Sequence, residues 1–146
     1  MKLNNFDSIL CSSPEETAAA AALFATHLRS NDLIALTGDL GAGKTTFVKA
    51  LAKALGSLDL VQSPTYVYLQ MYEASLPLFH FDLYRMNTAD DFLAMGFEEY
   101  FSAGGITLIE WPQIISHLLP AHTIHLNIQT LSEQERSLNF TKRASS

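Results

Sequence analysis

An α/β fold with a phosphate-binding loop at the end of a buried strand is predicted by three features of this 146-residue chain. A short apolar run, a glycine-rich octapeptide closing on Lys-Thr and an amphipathic helical segment follow one another directly. Two later apolar runs each finish on an acid. Towards the C-terminus, two alternating segments joined by a polar turn read as an antiparallel hairpin.

The octapeptide, residues 38–45, reads Gly38, Asp39, Leu40, Gly41, Ala42, Gly43, Lys44, Thr45 and fits G-x-x-x-x-G-K-[ST] at every fixed position. A loop that wraps a triphosphate turns its N–H groups inward, which glycine does without a Cβ clash. Lys44 is placed to meet the β and γ phosphates and the Thr45 hydroxyl to ligate Mg²⁺. Leu33, Ile34, Ala35 and Leu36 before the loop suit a buried parallel strand. Phe47, Val48, Ala50, Leu51, Ala54 and Leu55 after it recur at helical spacing, with Gly56 as C′ residue. A glycine-rich turn preceding a lysine by chance would lack this context.

In chain order, residues 6–12 read as a first strand. Ser13, Pro14 and Glu16 then form an N-cap, a first-turn proline and a capping-box acid. The alanine-rich helix they open is expected to run to about Ser30, with Ala22, Leu23 and Leu28 inward, as scaffold. After the loop's own helix, Ser63, Pro64 and Thr65 make a bend into a β-rich run, 66–72. From the residues alone Thr65 reads as a plain turn in preference to a switch-loop hydroxyl. Residues 76–82 form an apolar strand ending on Asp82, where a magnesium-organising carboxylate stands in P-loop folds. His80, between Phe79 and Phe81, reads as a packing residue in preference to a catalytic base. Thr88 opens a short helical region broken at Gly96 and ended by Gly104 and Gly105. Residues 106–110 are a second apolar strand with a terminal acid, Glu110, and the two acids can converge beside one loop. Trp111, the only tryptophan, reads equally as a lid on the core and as part of a site. Pro112 begins a helix to Leu119, burying Ile114, Ile115, Leu118 and Leu119. Residues 122–130 and 137–141 are the hairpin strands, and 142–146 a frayed tail.

Composition bounds the partners. A chain of this length is about one domain. A formal net charge of −6 argues against a broad surface for gripping nucleic acid. No apolar run approaches the ~20 residues of a membrane span and no signal pattern opens the chain, so a soluble cytoplasmic protein without a membrane partner is expected. The single cysteine, Cys11, is expected to pack as a small apolar residue. The chain lacks an Asn-Lys-x-Asp element and an Asp-x-x-Gly switch, so guanine specificity is unsupported. Its four arginines, Arg29, Arg85, Arg136 and Arg143, are few for a P-loop small-molecule kinase, which clamps two phosphate groups. Such a kinase and a non-catalytic nucleotide-binding adaptor remain the rival classes.

Residues 38–46 as GDLGAGKTT, 63–66 as SPTY, 80–85 as HFDLYR and 109–112 as IEWP, in this order and spacing, resemble the bacterial TsaE family, small ATPases of tRNA threonylcarbamoyladenosine biosynthesis. The likeness covers about residues 13–140. It implies a P-loop NTPase fold, with parallel central strands, antiparallel additions and helices on both faces. It also implies binding of ATP and Mg²⁺ and weak ATP hydrolysis. The implied partners are a threonylcarbamoyl transferase and its companion subunit, which modify adenosine 37 of tRNAs reading ANN codons; tRNA is met only through them. By motif, Lys44 matches the phosphate lysine and Thr45 the magnesium ligand, with Thr46 completing the loop. Glu110 matches the family's Mg²⁺-associated acid, and Asp82 an acid that holds metal or positions water. Thr65 and Trp111 match switch and site-cover positions. Arg136 resembles a segment approaching the nucleotide base, with Cys11 at the neighbouring strand end on the base's other side.

Overall fold

The computed structural model describes residues 8–38, 43–58 and 68–142. Asp39, Leu40, Gly41, Ala42 and Thr65 of the expected site lie outside the described residues, as does most of the expected tail.

Among the described residues seven strands form one sheet: β1 (Ser8–Cys11), β2 (Leu33–Gly38), β3 (Leu69–Tyr72), β4 (Leu78–Asp82), β5 (Ile106–Glu110), β6 (Ile124–Thr130) and β7 (Arg136–Lys142), in the order β1-β7-β6-β2-β5-β4-β3. The central four, β6, β2, β5 and β4, run parallel. β3 joins one side and the β6-β7-β1 meander extends the other, antiparallel throughout. This is the P-loop α/β fold expected from the motif order. Strands β2, β4 and β5 are buried along most of their length because both faces are covered.

Helices α1 (Pro14–Ala25) and α2 (Lys44–Ala54) cover one face. Phe24, Phe47, Val48 and Leu51 meet Ile34, Leu36, Leu108, Leu126 and Phe140 there. Helix α3 (Ala89–Ala94) and the 3₁₀ helices Phe97–Ser102 and Pro112–Leu118 cover the other face, where Phe79, Phe81, Phe92 and Ile115 pack with Leu33 and Ile109. Phe81 makes tilted or edge contacts with Phe92, Phe97 and Tyr100 at 5.2–5.9 Å between centroids, the geometry aromatic quadrupoles favour.

Two local expectations are corrected. Helix α1 starts as read, with the Glu16 N–H donating to Ser13 Oγ at 3.1 Å, but ends at Ala25, short of Ser30. The Thr26 hydroxyl donates to the Leu23 carbonyl at 2.6 Å, and the 26–28 amides turn back on carbonyls three residues earlier. The buried stripe is Thr17, Ala20, Ala21 and Phe24, leaving Leu23 46% exposed. A run of alanines carries almost no periodic signal, so only packing decides which face turns inward. The helix expected after Trp111 is present as a 3₁₀ helix, Pro112–Leu118, kinked at Ile115, but its buried side is narrower than read. It buries Ile115 and Leu119, while Ile114 and Leu118 are half-buried.

Candidate functional site

The carboxyl ends of β2, β4 and β5 lie side by side. Leu36 pairs with Glu110, and Glu110 with Asp82, in parallel register. In-register residues of a parallel sheet share a face, so both acids stand beside the loop that leaves β2. Open α/β sheets receive ligands at this edge.

Helix α2 begins on Lys44, directly after Gly43, whose φ of 93° is a left-handed value that suits glycine. This bend turns the chain into the helix, with Lys44 at its first position. Lys44 is buried and its Nζ lies 4.4 Å from the centroid of the Trp111 ring. Among the described residues its ammonium makes no ion pair, the single such contact being His80–Glu110. Thr45 is exposed and Thr46 half-buried in the same first turn. Trp111 adopts φ 57°, ψ 56°, a left-handed conformation that costs a residue with a Cβ roughly 1–2 kcal/mol. Residues held this way cluster at sites where their surroundings over-determine them. Its ring contacts the exposed Tyr84 at 5.0 Å.

The two acids sit in different surroundings. Glu110 is buried and its Oε2 lies 2.6 Å from His80 Nε2. Asp82 is half-buried, and its Oδ1 accepts from the Tyr84 N–H at 3.0 Å. Burial pushes the Asp82 carboxyl above its ordinary value; the Tyr84 hydrogen bond opposes this, Glu110 reinforces it, and His80 and Lys44 pull it back.

At the far side of the loop, β7 begins on Arg136, in register with Cys11 of β1 and Thr130 of β6. The Arg136 Nη1 donates to the carbonyls of Ser132 and Glu135 at 2.9 Å and of Glu133 at 3.3 Å. These bonds hold the side chain across Gly43: a Cβ on that glycine would lie 3.4 Å from Arg136 Nε. Cys11 is 1% exposed in the core, so at this edge it offers main chain, not thiol. Burial raises the Cys11 thiol pKa.

Lys44, Asp82, Glu110 and Trp111 are thus brought together, with Thr45 and Thr46 in the same helical turn as Lys44. Gly43, Arg136 and Cys11 flank them, and Gly38 ends β2. The donor set fits a hard cation. Thr45, Asp82 and Glu110 offer only oxygen, and Mg²⁺ prefers one or two carboxylates plus waters and phosphate oxygens. Among the described residues no group of three or more His, Cys, Asp or Glu forms a closed metal cage.

The family model described as "Threonylcarbamoyl adenosine biosynthesis protein TsaE" matches residues 11–138. The chain belongs to the TsaE family. It is similar to the tRNA threonylcarbamoyladenosine biosynthesis protein TsaE of Bacillus subtilis, 42% identical over 129 residues, or 88% of this chain and 80% of that protein. To the protein of the same name from Rickettsia bellii it is 40% identical over 143 residues, 97% of this chain and 98% of that one. The crystal structure of Bacillus subtilis YdiB superposes with a TM-score of 0.77 at 36% identity, covering 94% of this chain and 85% of that one. The resemblance read from four short motifs therefore extends along nearly the whole chain.

Sequence reasoning assigned this TsaE-family site no histidine, yet His80 contacts Glu110 directly. The signal was present: in a strand, residues two apart share a face, so His80 belongs with Asp82 and not with Phe79 and Phe81. No described helix is long and apolar enough to cross a membrane.

Proposed function

We propose that this chain binds ATP and Mg²⁺ and hydrolyses ATP weakly, with turnover coupled to the transferase and companion subunit that threonylcarbamoylate adenosine 37 in tRNAs reading ANN codons. The observation that carries the reading is a buried Lys44 ammonium resting on an indole, beside two carboxylates at the same sheet edge. A buried ammonium is costly without an anion. A triphosphate would supply that anion.

Lys44 would bind the β and γ phosphates, with Gly38, Asp39, Leu40, Gly41, Ala42, Gly43 and Thr46 forming the cradle around them. Thr45, Asp82 and Glu110 would hold Mg²⁺, whose part is to neutralise charge on the phosphate oxygens. Asp82 and Glu110 would also organise the attacking water at the same sheet edge. Trp111 would cover the site, Arg136 and the Cys11 main chain would flank the base, and the Thr65 loop would respond to loss of the γ phosphate. Positioning and charge neutralisation supply most of the catalysis in such sites. No arginine stands in a motif aimed at the γ phosphate, so turnover is slow until the partners join.

The test is free-phosphate release from ATP and Mg²⁺ by the chain alone and with both partners, with Lys44→Ala as blank. Slow release that rises with the partners, and a flat Lys44→Ala trace, is the expected result. Fast release indifferent to partners, or ADP formed with a phosphorylated small molecule in place of phosphate, overturns it.

A further inference from the structure

His80 lies in the middle of β4, opposite Gln70 of β3 and Leu108 of β5, and is 2% exposed. Its Nε2 meets Glu110 Oε2 at 2.6 Å, while no described residue hydrogen-bonds its Nδ1. A buried imidazole with one ring nitrogen unmet is a poor packing residue, since burying an unpaired polar atom opposes folding. The same volume could be filled by leucine at no such cost. What the histidine adds is a single bond to one oxygen of the strand-end acid.

We infer that His80 is a positioning residue: its imidazole fixes the Glu110 carboxylate by Oε2, so that Oε1 is presented in one orientation to the metal side of the site. The inference rests on the proposed role of Glu110 toward Mg²⁺ and adds to it the group that orients the acid. A carboxylate ligand is commonly held by a hydrogen bond of this kind, and loss of such a partner weakens metal affinity or activity ~10–100-fold. The bond bridges neighbouring strands diagonally, so backbone pairing between β4 and β5 sets its length. Glu110 therefore loses its side-chain freedom when the sheet forms, before any ligand arrives.

The test compares His80→Leu, which fills the space without a donor, with His80→Gln, whose amide nitrogen reaches the place of Nε2. ATP affinity is measured by calorimetry over a magnesium series, ADP affinity without magnesium, and kcat and KM for ATP from phosphate release. The expected result is ADP binding within about 3-fold of wild type in both variants. The magnesium concentration for half-maximal enhancement of ATP binding rises ~10–100-fold in His80→Leu and returns most of the way in His80→Gln. At saturating magnesium, the deficit of His80→Leu lies in kcat with KM little changed. In the ligand-free wild type, the imidazole Nε2 proton gives an exchange-protected NMR signal that Glu110→Ala abolishes. Should His80→Leu not fold, His80→Asn, whose amide falls short of Nε2, replaces it. A folded donor-less variant with the wild-type magnesium response overturns this inference alone. A wild-type chain whose ATP binding ignores magnesium overturns the proposed function together with it.

Discussion

The Lys44 ammonium and the Trp111 indole form a cation–π pair, 4.4 Å from Nζ to the ring centroid. Such a pair is worth about 0.5–2 kcal/mol, far less than an ammonium gains from phosphate oxygens in a sheltered site. The lysine thus rests on a partner that a triphosphate, bound as proposed, would outcompete. Trp111 is the only tryptophan, so all tryptophan emission comes from the ring that Lys44 and Tyr84 contact. Titrating ATP with Mg²⁺ is expected to change the intrinsic fluorescence saturably in wild type and to leave Lys44→Ala unchanged. Binding seen by calorimetry with no change in emission would count against the exchange of partners.

Asp82 is expected to strain the ligand-free fold at neutral pH. Burial, aided by Glu110, raises its carboxyl above the ordinary value despite the Tyr84 N–H bond. The folded state therefore holds this proton more tightly than the unfolded one. The resulting stability is full below the ordinary carboxylate range and is lost as pH rises through the raised value. Asp82→Asn keeps an oxygen for the Tyr84 N–H and carries no charge. Its Tm should exceed that of wild type at pH 7, and the gap should close below about pH 3.5, under the ordinary Asp pKa. Equal melting temperatures at pH 7 would refute the sign.

Gly105 is required by space. A Cβ there would lie 2.4 Å from the Pro77 carbonyl oxygen and 2.7 Å from the Phe79 ring, and that carbonyl already accepts from the Ile106 N–H at 2.8 Å. Backbone, not a flexible side-chain end, blocks the methyl group. Gly105→Ala should cost about 1–3 kcal/mol, typical of overpacking, which at this size lowers Tm by several degrees. Calorimetric unfolding that matches wild type would contradict the contact.

The Cys11 thiol should be inert in the native protein. It is 1% exposed, and burial raises its pKa, disfavouring the reactive thiolate. Labelling by a soluble disulfide reagent should be slow in buffer and should accelerate through the unfolding transition in urea. A native labelling rate equal to that in urea would mean that β1 opens freely from β7.

The legible parts of this protein were those where local chemistry and long-range structure agree. The turn from Gly43 into the helix that opens on Lys44, the strand Ile106–Glu110, the Ser13 and Thr88 caps, Gly56 and the terminal hairpin each follow from residue types at fixed spacing. The same is true of family membership, since the motifs that carry it are contiguous. Where the signal was weak, the reading drifted: the alanines of α1 look alike on every face, and the helix after Pro112 buries a narrower side than its apolar residues suggest.

By itself the sequence determined which groups could serve a nucleotide, because a glycine loop, a lysine and two strand-end acids are chosen by chemistry and not by context. Only the tertiary structure decided which of them touch. The pairing of β4 with β5 sets Asp82 beside Glu110 and lets His80 reach that acid. The left-handed turn at Trp111 lays its ring against Lys44, 67 positions earlier in the chain. Sheet register and a single backbone angle are settled by packing over the whole molecule, so no local pattern announces them.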